Sequence, residues 1–325
     1  DQSVGQLRIF SKARDNQEVL NDVRVEESHK KSIRKIELYK EYFYKYWDMK
    51  PTGHYSKTTI LDSEAVSHLV IISPYHDVKA KKECFPFAGC FPYIGFFDQN
   101  DAKEYAKEMG DKGYYFYVRP VYAYSTLGYF DDPILSSFFS YSDFHLAELI
   151  FHELFHTLFF IKDNVDLNEN LANYFGKEMA LEYFENSGMD SKKIKARFKK
   201  RKKVRLEIVK LTNEFKRSLK ESKPGNKAEA DKRLQSFLSE RFLPSIKAVC
   251  EEVGLKRCRY LKKRWNNASF AANLTYEDKM QKFADFQRRK QFTLKQFFSY
   301  IKEKTKEYEE KDLSEKYKLG EYLFL

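Results

Sequence analysis

No run of about 18 apolar residues occurs anywhere in the 325-residue chain, so no segment of it is expected to span a bilayer as a helix. Internal repeats and low-complexity tracts are also missing, which excludes solenoid and compositionally biased architectures. There is no signal peptide, and the chain begins at Asp1, so a targeting segment is expected ahead of it. Cysteine is scarce. The four present form two close pairs, Cys84/Cys90 and Cys250/Cys258, and neither has the CxxC spacing of a zinc or redox motif. Two local disulfides fit an oxidising compartment, and four buried thiols fit a reducing one.

Acidic residues are the minority charge, 48 against 59 basic ones, for a net charge of +11. The basic excess is densest from Lys192 to Arg205. A nucleic acid or an anionic membrane would suit such a run. No recognition motif accompanies it, so it reads as the solvated face of a long helix, and nucleic acid is not an expected partner. Aromatic side chains are plentiful, with 29 Phe and 23 Tyr, which predicts an aromatic-rich core. The length suits one large domain or two smaller ones.

Apolar spacing at Ile33, Ile36, Tyr39, Phe43 and Tyr46 predicts an amphipathic helix from Lys31 to Trp47, ended by Pro51-Thr-Gly53. Strands follow at Thr58–Leu61, His68–Ser73 and Tyr93–Phe97, then a helix from Gln99 to Lys112 and a strand from Tyr114 to Tyr124. This strand–helix–strand order predicts a small βαβ-like sheet beside the helix described next. His54, His68 and His76 have no metal-like neighbours and read as ordinary polar residues. Farther on, helices are predicted from Asp190 to Ser222, from Ala228 to Glu252 after Pro224-Gly225, and from Tyr276 to Tyr308.

The informative stretch is Leu149-Ile-Phe-His152-Glu153-Leu-Phe-His156-Thr-Leu-Phe-Phe160. Asp143 is the expected N-cap of a helix running from Phe144 to Ile161. Residues four apart share a helix face, so His152 and His156 can take adjacent corners of a tetrahedral zinc site. Glu153 is then placed to serve as general base on water activated by the metal. The apolar flanks put this helix in the interior, where unpaired polar groups are costly. A metzincin site is excluded, because its glycine and third histidine would fall at Phe159 and Lys162. The turn Lys162–Leu167 should return a second antiparallel helix, capped near Asn168 and running through Glu185, so that Glu169 supplies a third ligand. Asn173 lies one turn beyond Glu169 and is a candidate to orient a ligand histidine. His145, two turns before His152, is too far to share coordination and reads as structural. Asp131, Asp132 and Glu148 are nearby carboxylates suited to a substrate ammonium. The strand Tyr114–Tyr124 could pair with an extended peptide.

Several separated segments together resemble the bacterial family of putative aminopeptidases, gluzincin-like zinc peptidases that are often lipoproteins. They are Cys84-Phe-Pro-Phe-Ala-Gly-Cys90-Phe-Pro-Tyr-Ile-Gly-Phe-Phe-Asp98, Ala123-Tyr-Ser-Thr-Leu-Gly-Tyr-Phe-Asp-Asp-Pro133, the His152–His156 motif, Asn168-Glu169 with Leu171-Ala172, and Trp265-Asn-Asn-Ala268 with Tyr276. The resemblance implies one zinc ion per chain, held by His152, His156 and Glu169, with Glu153 as the catalytic carboxylate. It also implies a Cys84–Cys90 disulfide and a lipid-anchored protein facing the periplasm or cell envelope. Tyr124, Tyr276 and Asn267 become candidates for stabilising the oxyanion or binding substrate on those motifs. Phe155 departs from the pattern, which commonly has a small residue there, and Cys250/Cys258 lie outside it.

The expected fold is therefore α+β and mainly helical, a zincin-like metallopeptidase with a small sheet beside the His-Glu-x-x-His helix and long C-terminal helices. Residues 1–190 would carry the N-terminal helix, the sheet and the catalytic helices, with residues 191–325 as a basic helical region packed on them. The expected activity is zinc-dependent peptide hydrolysis releasing N-terminal residues. The alternatives are an endopeptidase, or a lipid-anchored binding or scaffold protein that keeps the metal site without activity.

Overall fold

The computed structural model describes residues 9–85, 89–123, 131–162, 164–188, 191–274, 279–312, 314 and 318–324. Helix makes up 64% of the chain, which is α+β and mainly helical as expected. No described helix is long and apolar enough to cross a membrane. The chain forms two compact units, each gathered from three separate segments. One holds residues 1–7, 63–122 and 191–277, and the other holds residues 8–62, 123–190 and 278–325. The chain crosses from one unit to the other at several points, one of them between residues 190 and 191.

In the first unit a three-stranded sheet has Ser67–Ser73 at its centre, flanked by Ile94–Phe96 and Tyr115–Val121. Both flanking strands run antiparallel to the central one, with Val70 opposite Ile94 and Val118. The predicted βαβ order is thus split. The helix Gln99–Asp111 carries the chain from one edge strand to the other, past the strand between them. Strand alternation divides the apolar residues by face. Val70 and Ile72 pack on Ala102, Ala106 and Met109 of that helix. Ile71 and Tyr115 join the other core, with Val204, Ile208, Leu211, Phe215 and Leu219. Those five form one helical stripe on the basic helix Ser191–Glu221, so a segment that reads as charge in sequence is anchored by its apolar minority. This sheet shares a unit with the basic helix, and the unit of the His-Glu-x-x-His helix holds a second three-stranded sheet, of Arg14–Asp15, Lys57–Thr59 and Ile134–Leu135. The helix Asn267–Leu274, which had no sequence prediction, belongs to this unit as well.

The hairpin Glu83–Phe85/Gly89–Phe91 sets Cys84 opposite Cys90, and Cys84 is disulfide-bonded. Cys250 and Cys258 form the second disulfide.

Besides its small sheet, in which Thr58 lies opposite Arg14 and Ile134, the second unit is helical. Glu27–Trp47 begins four residues before its predicted start and ends at Asp48 in the left-handed conformation. The His helix spans Asp143–Leu158, with Ser142 rather than Asp143 at its N-cap position. The following helix spans Val165–Asn186, which puts Glu169 in its second turn instead of the first. The single C-terminal helix predicted from Tyr276 to Tyr308 is two, Lys279–Lys290 and Leu294–Glu310. They part at Gln291, whose φ is 55°, and the second starts with a capping box between Thr293 and Gln296.

Candidate metal centre

The His helix is clamped on two sides by aromatic side chains. Phe151 meets Tyr39 and Phe43 of the Glu27–Trp47 helix, with ring centroids 6.0 and 6.3 Å away. Phe155 stacks on Phe175 of the following helix at 4.6 Å and also contacts Phe298. The departure from the family pattern at Phe155 is therefore a core packing choice, and its side chain is 1% exposed.

Two features missed in sequence hold the helix pair in register. A Cβ on Gly176 would lie 2.8 Å from the backbone nitrogen of His152 and 3.0 Å from the carbonyl oxygen of Glu148. The two helix backbones can approach this closely only where that side chain is absent. Asn168 is 3% exposed and uses both ends of its amide on one residue. Its Oδ1 accepts from Ile161 N at 2.8 Å, and its Nδ2 donates to Ile161 O at 2.7 Å. Phe159 is extended, so the His helix stops at Leu158, short of the predicted Ile161, which is the residue that Asn168 clasps.

This register brings Glu169 to the histidines. His152 Nε2 lies 3.5 Å from Glu169 Oε2, and His156 Nε2 lies 3.3 Å from Glu169 Oε1. Ligands on ~2.1 Å arms around a tetrahedral ion stand about 3.4 Å apart. One ligand atom from each residue falls within 4.8 Å of the other two, so the trio could hold a metal ion. The two imidazole planes are 88° apart, as befits rings converging on a common point from successive turns. His156 is 4% exposed, and neither of its ring nitrogens has a hydrogen bond despite the nearby carboxylate. A buried nitrogen close to an oxygen but not bonded to it is poorly satisfied by protein alone, and a cation between them would satisfy both.

The electrostatics agree. Burial pushes the Glu169 carboxyl up, but His152 and His156 outweigh it and hold that group well below the usual carboxylate range. Burial pulls His152 down, yet Glu169, Glu153 and Glu148 together raise it above its ordinary value. The pocket is built for positive charge, supplied either by protons on the imidazoles or by a metal.

Glu153 follows His152 directly, and its Oε2 is buried without a hydrogen-bond partner. Tyr55, another residue that sequence reasoning passed over, lies near it. Burial, then the charges of Glu153 and Asp132, hold the Tyr55 phenol protonated. Its backbone is left-handed at φ 57°, strained for a tyrosine. Three hydrogen bonds keep it there, with Tyr55 N donating to Asp132 O and Tyr55 O accepting from Asn16 Nδ2 and Lys40 Nζ. No spacing rule in the sequence marks this residue.

The other candidates lie elsewhere or do other work. Asn173 is exposed and donates back to Glu169 O at 2.7 Å, a bond within its own helix, and not to a ligand histidine. Asp132 is 2% exposed, and its charge acts together with that of Glu153 on the Tyr55 phenol. Asp131 pairs with His54 at 3.0 Å, and Glu148 pairs with His145 at 2.9 Å, which gives that histidine the structural role expected of it. Asn267 belongs to the other unit, where its buried amide donates to the carbonyls of Pro74, Tyr75 and Asp77 and pins that turn. Tyr124 and Tyr276 lie outside the described residues.

A family model described as Putative aminopeptidase matches residues 1–315. No curated protein and no solved structure matches the chain.

Proposed function

Because the chain belongs to the Putative aminopeptidase family, we propose that it is a zinc-dependent peptidase of the zincin-like, gluzincin type, releasing N-terminal residues from peptides. The observation that carries this reading is the convergence of His152, His156 and Glu169 beside the buried carboxylate of Glu153. Those three residues would hold the zinc ion, which when bound supplies Lewis acidity and lowers the pKa of water toward neutrality. Glu153 accepts the proton of the attacking water through its unpartnered oxygen and delivers it to the leaving amine. The neutral Tyr55 phenol leaves the negative charge at this point to the carboxylates. Trapping of the Cys250–Cys258 pair as a disulfide supports an oxidising compartment such as the periplasm.

Metal analysis combined with hydrolysis of aminoacyl-arylamides and of internally quenched, N-blocked peptides tests the reading. Glu153→Gln should keep one zinc per chain and lose turnover by about 10²–10⁴-fold. Cleavage of blocked peptides alone would replace the exopeptidase assignment with an endopeptidase one. Zinc without any hydrolysis would make the chain a binding protein.

A further inference from the structure

We propose that the first unit carries a binding site for a phosphate group, formed by Arg119, Arg259 and Lys263 around the aromatic rings of Tyr117 and Trp265. The segment Lys256-Arg-Cys-Arg-Tyr-Leu-Lys-Lys-Arg264 contains six cations and no acid. None of the six, nor Arg119, has an ion-pair partner among the described residues. Elsewhere on this surface lysines do find partners, as Lys203 finds Glu252 and Lys227 finds Asp231. Lys216 and Lys220 of the same unit are likewise unpaired among the described residues, so what sets this group apart is its gathering around two aromatic rings.

The segment is fastened down. The Cys250–Cys258 disulfide ties its start to the preceding helix, Leu255 N donates to Cys250 O, and the Trp265 indole donates to Tyr260 O at 2.9 Å. From this frame Lys263 extends between two rings, its Nζ 4.5 Å from the centroid of Tyr117 and 4.4 Å from that of Trp265. Tyr117 and Arg119 are two apart on one strand and share a sheet face, so Arg119 stands beside the caged ammonium. Burial, then Arg119 and Arg259, lower Lys263 to about 8. The same two guanidiniums act on Tyr117, and Arg259 also acts on Arg201 of the basic helix. Like charges are being held together by the fold, against their repulsion, on a stapled loop.

A carboxylate would neutralise one of these cations. A phosphate group brings a charge of roughly −2 and three acceptor oxygens, which suits two forked guanidiniums and a point-like ammonium together. The group could be carried by a soluble phosphate ester or by a phosphomonoester lipid headgroup. Binding would also draw a proton at pH 8, because an anion raises Lys263, whose charged neighbours among the described residues are Arg119 and Arg259, beside the rings of Tyr117 and Trp265.

Calorimetry of the whole chain with inorganic phosphate, and flotation with phosphatidic acid vesicles, test this at low salt. Saturable phosphate binding that weakens at least tenfold in Arg259→Gln and in Arg119→Gln supports the site with a soluble ligand. Binding to vesicles alone, with the same two dependences, supports it with a lipid source. Lys263→Arg should retain binding and lose the proton uptake seen in buffers of differing ionisation enthalpy at pH 8. Equal weakening in the control Lys192→Gln/Lys199→Gln, or equal binding to phosphatidylglycerol vesicles, marks diffuse attraction and overturns the proposal. So does the absence of binding to both probes.

Discussion

Gly176 lies against the backbone of His152, close enough that any Cβ there would stand 2.8 Å from the histidine nitrogen. In an exposed helix interior, replacing glycine by alanine stabilises by about 1 kcal/mol. Here the clash is with backbone, which cannot rotate away, and overpacking of this kind costs ~1–3 kcal/mol. Gly176→Ala should therefore lower the denaturant midpoint and weaken zinc binding, because Glu169 moves with its helix. Unchanged stability and unchanged zinc affinity would show that the helices are free to part without consequence.

Asn168→Ala removes both hydrogen bonds to Ile161 while the surroundings stay buried. Each orphaned polar group costs roughly 1–3 kcal/mol. The expected result is a cooperative loss of stability with reduced metal affinity. Asn168→Asp should be at least as harmful, because its carboxylate would face the Ile161 carbonyl. Chemical denaturation with and without zinc reads both effects.

The metal-free protein should show an opposed pH dependence at the site. Glu169 is depressed in the folded state, so its contribution is complete above its ordinary value of 4.5 and fades as the pH falls toward its folded pKa. His152 is raised, so its contribution is complete below 6.5 and is lost as the pH rises through its folded pKa. Between these two values both act together. Denaturation of EDTA-treated protein from pH 4 to 8 should show this added stability inside the window, flattened by His152→Gln. Zinc binding near pH 6 should release protons, measurable in buffers of different ionisation enthalpy.

Loss of the Cys250–Cys258 link opens a loop of eight-residue separation. Chain entropy alone assigns such a link about 2–3 kcal/mol. Cys258→Ser should lower the unfolding midpoint while leaving zinc content unchanged, since the three proposed ligands His152, His156 and Glu169 all lie in the other unit. Loss of zinc in this variant would show that the two units fold as one cooperative structure.

Sequence legibility followed the range of the interactions involved. The long helices came from local periodicity, and the stretch Ile33, Ile36, Tyr39, Phe43 identified a buried face correctly. Errors fell at ends and breaks. The break at Gln291 rests on one left-handed residue and a capping box between Thr293 and Gln296, which apolar periodicity does not register. Asn267 illustrates the opposite difficulty, since a motif asparagine can serve a distant turn at residues 74–77 as easily as a substrate.

By itself the sequence determined that His152, Glu153 and His156 ride on one helix with both imidazoles on the same side, because a 3.6-residue repeat is a local property. It also named Glu169 as the partner to look for. Only the tertiary structure decided that this carboxylate stands 3.5 and 3.3 Å from the two imidazoles. That placement depends on Gly176 allowing two backbones to meet and on Asn168 closing the turn between them. The grouping of Arg119 with Arg259 and Lys263 is of the same kind. Charges about 140 residues apart along the chain become neighbours only when a sheet face and a stapled loop are packed together.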